Sequence, residues 1–132
     1  MLIIKNEFLC GESTHTRIEL NNNNKIICRC YIAEPSIIED KIMIEFDGST
    51  ESYSGDSDLN FIFLYDLESF PTGKGYGTLF FKKLIEYLKE IGKNRIYLDV
   101  NIINTKAQRF YQKLGFIQKW KSYENYRYYL MI

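Results

Sequence analysis

The residues best suited to chemistry lie in one short run, Thr72-Gly73-Lys74-Gly75-Tyr76-Gly77-Thr78. Three glycines at alternate positions let the backbone turn tightly and approach a ligand with no Cβ in the way. If a helix starts here, its first N–H groups lack internal partners and point outward beside the positive end of the macrodipole. A phosphate or pyrophosphate fits such a site, with Lys74 adding charge and Thr78 a hydroxyl. A P-loop is excluded, because no Gly-Lys in the chain is followed by Ser or Thr. The dinucleotide fingerprint G-x-G-x-x-G is excluded as well, because the third glycine comes one residue too early. The structural alternative is a tight strand-to-helix turn with nothing bound.

Metal chemistry has little to work with. Cys28 and Cys30 form a C-x-C with no second cysteine pair, and His15 is the single histidine. That is a poor zinc set, so no metal site is expected. Reduced, buried cysteines are the expected state, in a cytoplasmic protein. No apolar run is long enough to cross a bilayer, and the N-terminus lacks the basic and apolar regions of a signal peptide.

The formal net charge of zero conceals an asymmetry. Between Glu34 and Glu68 there are ten acidic residues and one basic residue, Lys41; from Ser69 onward there are twelve basic and four acidic residues. The second half therefore suits an anionic ligand and the middle a cationic one, unless both are merely solvated faces. A nucleic-acid binder is disfavoured, since Lys82, Lys83, Lys89 and Lys93 sit on or just after a helix whose other face is core.

Periodicity gives the strands and helices around the glycine run. With 132 residues, 45% of them hydrophobic, the chain is sized for one domain with a real core. Thr14 to Leu20 and Lys25 to Ile32 predict a hairpin around the polar turn Asn21 to Asn24. Ile37 to Phe46 holds a third strand, and Asp47 to Asp58 is expected to be a mobile loop. Leu59 to Leu67 is almost continuously apolar, as a strand covered on both faces would be. Tyr76 to Ile91 is the clearest helix, with Phe80, Leu84, Leu88 and Ile91 on one stripe and Gly92 as its stop. Arg95 to Val100 predicts a strand, Asn104 the cap of a shorter helix ending at Gly115, and Phe116 to Lys121 and Tyr126 to Ile132 two closing strands. The fold class is α/β or α+β: strands, then strand–helix–strand–helix–strand–strand around one mixed, mostly antiparallel sheet.

A second cluster narrows the chemistry. Asn104-Thr105-Lys106-Ala107-Gln108-Arg109-Phe110-Tyr111-Gln112-Lys113-Leu114-Gly115-Phe116 follows the next strand, about thirty residues after the glycine run. Together the two motifs resemble the GNAT superfamily of acyl-CoA N-acyltransferases. There, a strand runs into R/Q-x-x-G-x-G/A and a long helix, and the next strand runs into N-x-x-A-x-x-x-Y-x-K-L-G-F. The likeness covers roughly Leu59 to Lys121. Two departures stand out: Thr72 occupies the R/Q position, and the first 58 residues read as strands and loop where the family usually has two helices shaping the acceptor pocket.

The resemblance implies one GNAT-like acetyltransferase domain over 1–132. It implies acetyl-CoA as co-substrate and direct acetyl transfer to an amine, either a small cationic amine or a protein lysine. The pyrophosphate would bind at Thr72, Gly73, Lys74, Gly75, Tyr76, Gly77 and Thr78. Asn104, Lys106, Ala107 and Tyr111 would complete the cofactor site. The main chain of Leu67, with Ser69 beside it, would pair with the pantetheine arm, the Leu67 N–H serving as donor to the thioester oxygen. Tyr111 matches the motif tyrosine; a phenol with a pKa of about 10 is protonated at neutral pH and can donate to a departing thiolate. Its plain alternative is a core aromatic, and that of Asn104 a simple helix cap. The base stays open among Asp66, Glu68, Glu45 and a water chain; strict alternation sends Asp66 and Glu68 to the face opposite Leu67. A non-catalytic acyl-CoA-binding module is the competing class. The Tyr-rich tail, Tyr123 to Tyr129, suits a homodimer through the last strand.

Overall fold

The computed structural model describes residues 2–70 and 75–132. The chain forms β1 (Leu2–Cys10), β2 (Ser13–Asn22), β3 (Lys25–Ala33), β4 (Ser36–Ile38), β5 (Lys41–Phe46), β6 (Ser49–Ser52), β7 (Phe61–Ser69), α1 (Tyr76–Glu90), β8 (Arg95–Asn101), α2 (Thr105–Lys113), β9 (Ile117–Lys121) and β10 (Asn125–Met131). The expected mixed class is present, divided between two sheets: a seven-stranded sheet, β1-β2-β3-β7-β8-β10-β9, and a separate three-stranded one, β4-β5-β6. Every pairing is antiparallel except β7 with β8.

The large sheet is covered on both faces. On one, Ile18, Leu20, Cys28, Cys30, Ile62, Leu64, Ile96 and Leu98 pack with Phe80, Phe81, Leu84 and Leu88 of α1 and with Tyr111 of α2. On the other, Ala33, Phe61, Phe63 and Tyr97 pack against Ile44, Phe46 and Tyr53 of the small-sheet region. The continuously apolar start of β7 reflects this double covering. The small sheet thus occupies the N-terminal half in place of helices, and no helix precedes α1 among the described residues.

Several expectations need correction. The 47–58 stretch is not a bare loop. It contains β6, buries Tyr53 and is fastened by Asp56, which accepts hydrogen bonds from Arg95 (3.1 Å) and Tyr97 (2.8 Å). Ile91 is exposed at the C-cap of α1, and Phe81 takes its place in the core. The last strand cannot extend a sheet into a dimer, because β10 has β8 on one side and β9 on the other. Within the Tyr-rich tail Tyr128 is buried, while Tyr123 is 94% exposed. Strand β1, unread in the sequence, pairs along its full length with β2.

The charge asymmetry also resolves in part. Asp56 and Asp58 pair with Arg95, Glu51 with Arg127, and Glu34 with Lys93. Four carboxylates of the acidic middle are therefore neutralised by the basic second half. The binding of a cationic ligand by that middle as a whole loses support.

Candidate active site

The site is built on a wedge between two parallel strands. β7 and β8 pair only at Phe61↔Arg95, Ile62↔Ile96 and Phe63↔Tyr97. Beyond that rung, β7 runs on to Ser69 and β8 to Asn101 without pairing. A bulge helps them part. Arg29 opposes Glu68 and Tyr31 opposes Tyr65, so two steps on β3 match three on β7. The extra residue is absorbed at Asp66, whose φ of 52° lies in the left-handed region. Aspartate tolerates that conformation better than most residues.

The bulge shifts the alternation. Ile62 and Leu64 face the helices, and after the extra residue Leu67 does too, with Ser69 following it against Cys28. Asp66 lies exposed on the bulge; Glu68 turns to the other face, where Arg29 donates to it at 3.2 Å. Glu45 sits far from the wedge. Its backbone N–H donates to Ser13 at 2.7 Å, its Oε2 accepts from the Glu12 N–H at 3.2 Å, and its carbonyl meets His15 Nε2 at 2.7 Å.

Two spaces lie here and share Leu67, Asn104, Ala107 and Tyr111 in their walls. A groove of about 600 Å³ is lined by Leu67, Ser69, Gly75, Tyr76, Gly77, Thr78, Asn104, Lys106, Ala107, Phe110 and Tyr111. That size suits a cofactor. A smaller cavity of about 190 Å³ lies between the strands themselves; Leu64, Asp66, Leu67, Leu98, Asp99, Val100 and Tyr111 are among its walls. Every predicted site residue within the described range lines the groove. Thr72, Gly73 and Lys74 lie outside the described residues. Sequence reasoning missed Leu64, Leu98, Asp99 and Val100, and no local signal could have found them, since they reach the site only because the strands part.

The groove is prepared for an anion. The first helical bond of α1 is Leu79 N–H to the Gly75 carbonyl, so the N–H groups of Tyr76, Gly77 and Thr78 have no partner within the helix. No side chain caps this end, and neither helix carries an acidic residue in its first turn. The two described glycines have different causes. Gly75 is the N-cap at φ 73°, in the left-handed region. Gly77 is favoured by packing, because a Cβ there would meet the Phe110 ring at 3.1 Å and push it aside. The missing Cβ serves the close approach of helix to helix, and Gly77 also lines the groove.

On α2, Asn104 is a true cap. Its Oδ1 accepts from the Ala107 N–H at 3.1 Å, leaving the amide hydrogens available. Tyr111 is buried among Phe81, Phe110 and Phe116. Burial, with a smaller contribution from Cys30, pushes its phenol up to about 12. Its hydroxyl makes no hydrogen bond to another described residue, and the side chain lines both spaces. The plain reading of Tyr111 as core and the chemical reading coexist in one side chain.

The face opposite the helices carries a buried ion cluster. Arg127 donates to both oxygens of Asp99, at 2.6 and 3.0 Å, and to Glu51 of β6. Burial alone would lower its pKa, but the hydrogen bonds it donates to Asp99 and Glu51 outweigh that and hold it above its ordinary value. The cluster pins the small sheet to β8 and β10. The pair His15 and Tyr65 does the same nearer β2, with Tyr65 Oη 2.6 Å from Nδ1.

A profile of the acetyltransferase (GNAT) family matches residues 47–116, just over half the chain. Solved structures of similar fold include the N-acetyltransferase PseH of Campylobacter jejuni, at 18% identity and TM-score 0.57, covering 92% of this chain and 69% of that one. The PaiA N-acetyltransferase of Thermoplasma acidophilum, solved with coenzyme A, aligns at 15% identity and TM-score 0.62, covering 91% and 61%. The ribosomal-protein-S18-alanine N-acetyltransferase of Escherichia coli aligns at 18% identity and TM-score 0.59, covering 92% and 70%. The chain thus spans roughly two thirds of the length of these structures. No curated protein sequence matches it. No helix among the described residues is long and apolar enough to cross a membrane. The matched profile covers the glycine-run strand, both helices and the wedge between them: the chain belongs to the acetyltransferase (GNAT) family.

Proposed function

We propose that the chain is an acetyl-CoA-dependent N-acetyltransferase that passes an acetyl group directly to an amine. One observation carries the reading: Leu67, on the stretch of β7 that has left β8, lines one groove together with the uncapped first turn of α1 and Tyr111. Bound acetyl-CoA supplies an acetyl group activated as a thioester. The chain's own residues do the rest. The N–H groups of Tyr76, Gly77 and Thr78 receive the pyrophosphate, with Thr72, Gly73, Lys74 and Gly75 completing the loop and Lys106 adding charge. The amide of Asn104, Ala107 and the main chain of Leu67 and Ser69 hold the pantetheine arm in the wedge. The Leu67 N–H donates to the thioester oxygen as negative charge grows there. Tyr111, protonated throughout the physiological range, gives its proton to the departing sulfur.

For the amine's proton, Asp66 is the best placed of the three carboxylates. It lines the cavity and has no ion-pair or hydrogen-bond partner among the described residues, whereas Glu68 is held by Arg29 and Glu45 by the β1–β2 turn. The amine reaches it directly or through a water. The acceptor is a primary amine, on a small molecule or a lysine side chain. A protein that binds cofactor without catalysis would share the groove but need no free phenol at its apex.

The test has two stages. CoA and acetyl-CoA should raise the thermal midpoint and ATP should not, because a ligand bound only to the folded state stabilises it by mass action. Acetyl-CoA with a panel of amines should then release free thiol. Stabilisation by ATP alone would end the proposal; cofactor binding with no amine-stimulated thiol release would leave only the binding module.

A further inference from the structure

His15 is the single histidine of the chain, is buried to 1% exposure, and takes no part in the chemistry proposed above. It stands on β2 between two partners. Its Nε2 lies 2.7 Å from the Glu45 carbonyl of β5, and its Nδ1 lies 2.6 Å from the Tyr65 hydroxyl of β7. A carbonyl can only accept, so Nε2 carries the hydrogen and, in the neutral ring, Nδ1 accepts from Tyr65. Phe8 stacks on the imidazole and Phe46 meets it edge-on, each with centroids 5.4 Å away, so the ring has little freedom to turn. Tyr65 is held on its other sides as well: Tyr31 stacks on it at 5.3 Å and Phe46 packs edge-on at 5.7 Å.

What Tyr65 holds in turn is the bulge. It is the last residue of β7 in regular register with β3 before the extra residue, Asp66. A non-glycine residue in the left-handed region persists where its surroundings over-determine it. Here the rungs Tyr31↔Tyr65 and Arg29↔Glu68 bracket Asp66, and the His15 bond adds a tie to the small sheet. Tyr65, Asp66 and Leu67 all line the smaller, mostly polar cavity, whereas only Leu67 of the three also lines the cofactor groove.

We propose that His15 is a positioning residue for the amine acceptor: through Tyr65 it fixes the bulge, and with it the Asp66 carboxylate, at the cavity that receives the amine. The inference rests on the reading above that Asp66 takes the amine's proton. A base and its substrate must meet in a narrow geometry, and a misplacement of about 1 Å lowers the rate by about 100-fold. The small sheet thereby reaches the site through one hydrogen-bonded chain, Glu45–His15–Tyr65.

The experiment uses the whole chain as wild type and as His15→Leu, His15→Asn, His15→Gln and Tyr65→Phe. An asparagine carbonyl falls near the place of Nδ1 and can accept from Tyr65, whereas a glutamine amide reaches the place of Nε2 and serves only Glu45. Thiol release from acetyl-CoA is followed with the amine panel, n-butylamine and a lysine-containing peptide among it, and CoA binding is read by calorimetry. His15→Leu, His15→Gln and Tyr65→Phe should lower kcat/KM for the amine by about 10- to 100-fold with CoA affinity unchanged, and His15→Asn should recover most of it. The double variant His15→Leu with Tyr65→Phe should be no worse than either single one, because both remove the same link. The backbone amide resonances of Asp66 and Leu67 should move in the three impaired variants and stay near their wild-type positions in His15→Asn. Tyr65→Phe keeps the ring and its packing, and carries the test if His15→Leu does not fold. Folded variants with unchanged kcat/KM for the amine, or with an equal loss of CoA affinity, would overturn the proposal while leaving the acetyltransferase reading intact. A wild type that releases no thiol with any amine of the panel would instead overturn that reading, and this inference with it.

Discussion

Gly77 lies so close to Phe110 that a Cβ added there would approach the ring to 3.1 Å, and the ring would have to give by a few tenths of an ångström. Phe110 in turn lies edge-on to Tyr111, ring centroids 5.3 Å apart. The glycine of the loop and the phenol of the site are therefore joined by one aromatic ring. Gly77→Ala should gain about 0.5–1 kcal/mol of helix propensity and lose a comparable amount to the clash, leaving stability nearly unchanged. Acetyl-CoA affinity should nevertheless fall, because Phe110 lines the groove and must move. Calorimetric titration with CoA, beside a thermal melt, checks both; the pairing Gly77→Ala with Phe110→Leu should restore affinity.

Tyr111→Phe should reduce the rate of thiol release by about 10²- to 10⁴-fold, the usual worth of a positioned proton donor. CoA affinity should stay within a few-fold of wild type. A variant that keeps its rate would remove Tyr111 from the chemistry and leave it as core.

The pH dependence has a definite sign. Burial raises the phenols of Tyr111 and Tyr65 to about 12 in the folded state, above the ordinary value of about 10. The folded protein thus holds these protons more tightly than the unfolded chain does. Their contribution to stability is complete below pH 10 and is lost as the pH rises toward 12. Denaturant midpoints should be flat with respect to these groups below pH 10 and fall above it. Phenolate absorbance should show the phenols of Tyr111 and Tyr65, and that of Tyr53, which burial raises further, ionising after the exposed tyrosines.

Arg127→Met should cost about 3–5 kcal/mol, because it strands Asp99 and Glu51 beside a space the guanidinium had filled. Arg29→Ala removes a longer ion pair, at 3.2 Å, of far greater exposure, and should cost no more than about 1 kcal/mol. Urea denaturation of the two variants tests the contrast. Equal costs would mean that the Arg127 cluster does not fasten the small sheet.

Asn104 separates its two roles by substitution. Asn104→Ala should lose about 1 kcal/mol with the cap. Asn104→Asp keeps an acceptor for the Ala107 N–H and so should hold stability, but it has no amide hydrogens to offer and adds a negative charge at the groove. A folded Asn104→Asp protein that binds acetyl-CoA as tightly as wild type would show that the amide has no part in the cofactor site.

What the sequence determined by itself is local. The apolar stripe of α1, the stop at Gly92, the Asn104 cap and the two motifs that line the groove are each set by neighbours within a few residues, through helix period, capping and turn chemistry, and all can be read from the chain. The tertiary structure alone decided what depends on register between distant segments. The bulge at Asp66 arises where β7 meets β3, and the wedge where β7 leaves β8, so Leu64, Leu98, Asp99 and Val100 carry no local sign of lining a cavity. The ion pairs that neutralise part of the acidic middle join Asp56 to Arg95 and Glu51 to Arg127, residues far apart in the chain. The reason for Gly77, too, appeared only when α2 was laid against α1: a missing Cβ looks the same in sequence whether the space is kept for a phosphate or for a phenylalanine.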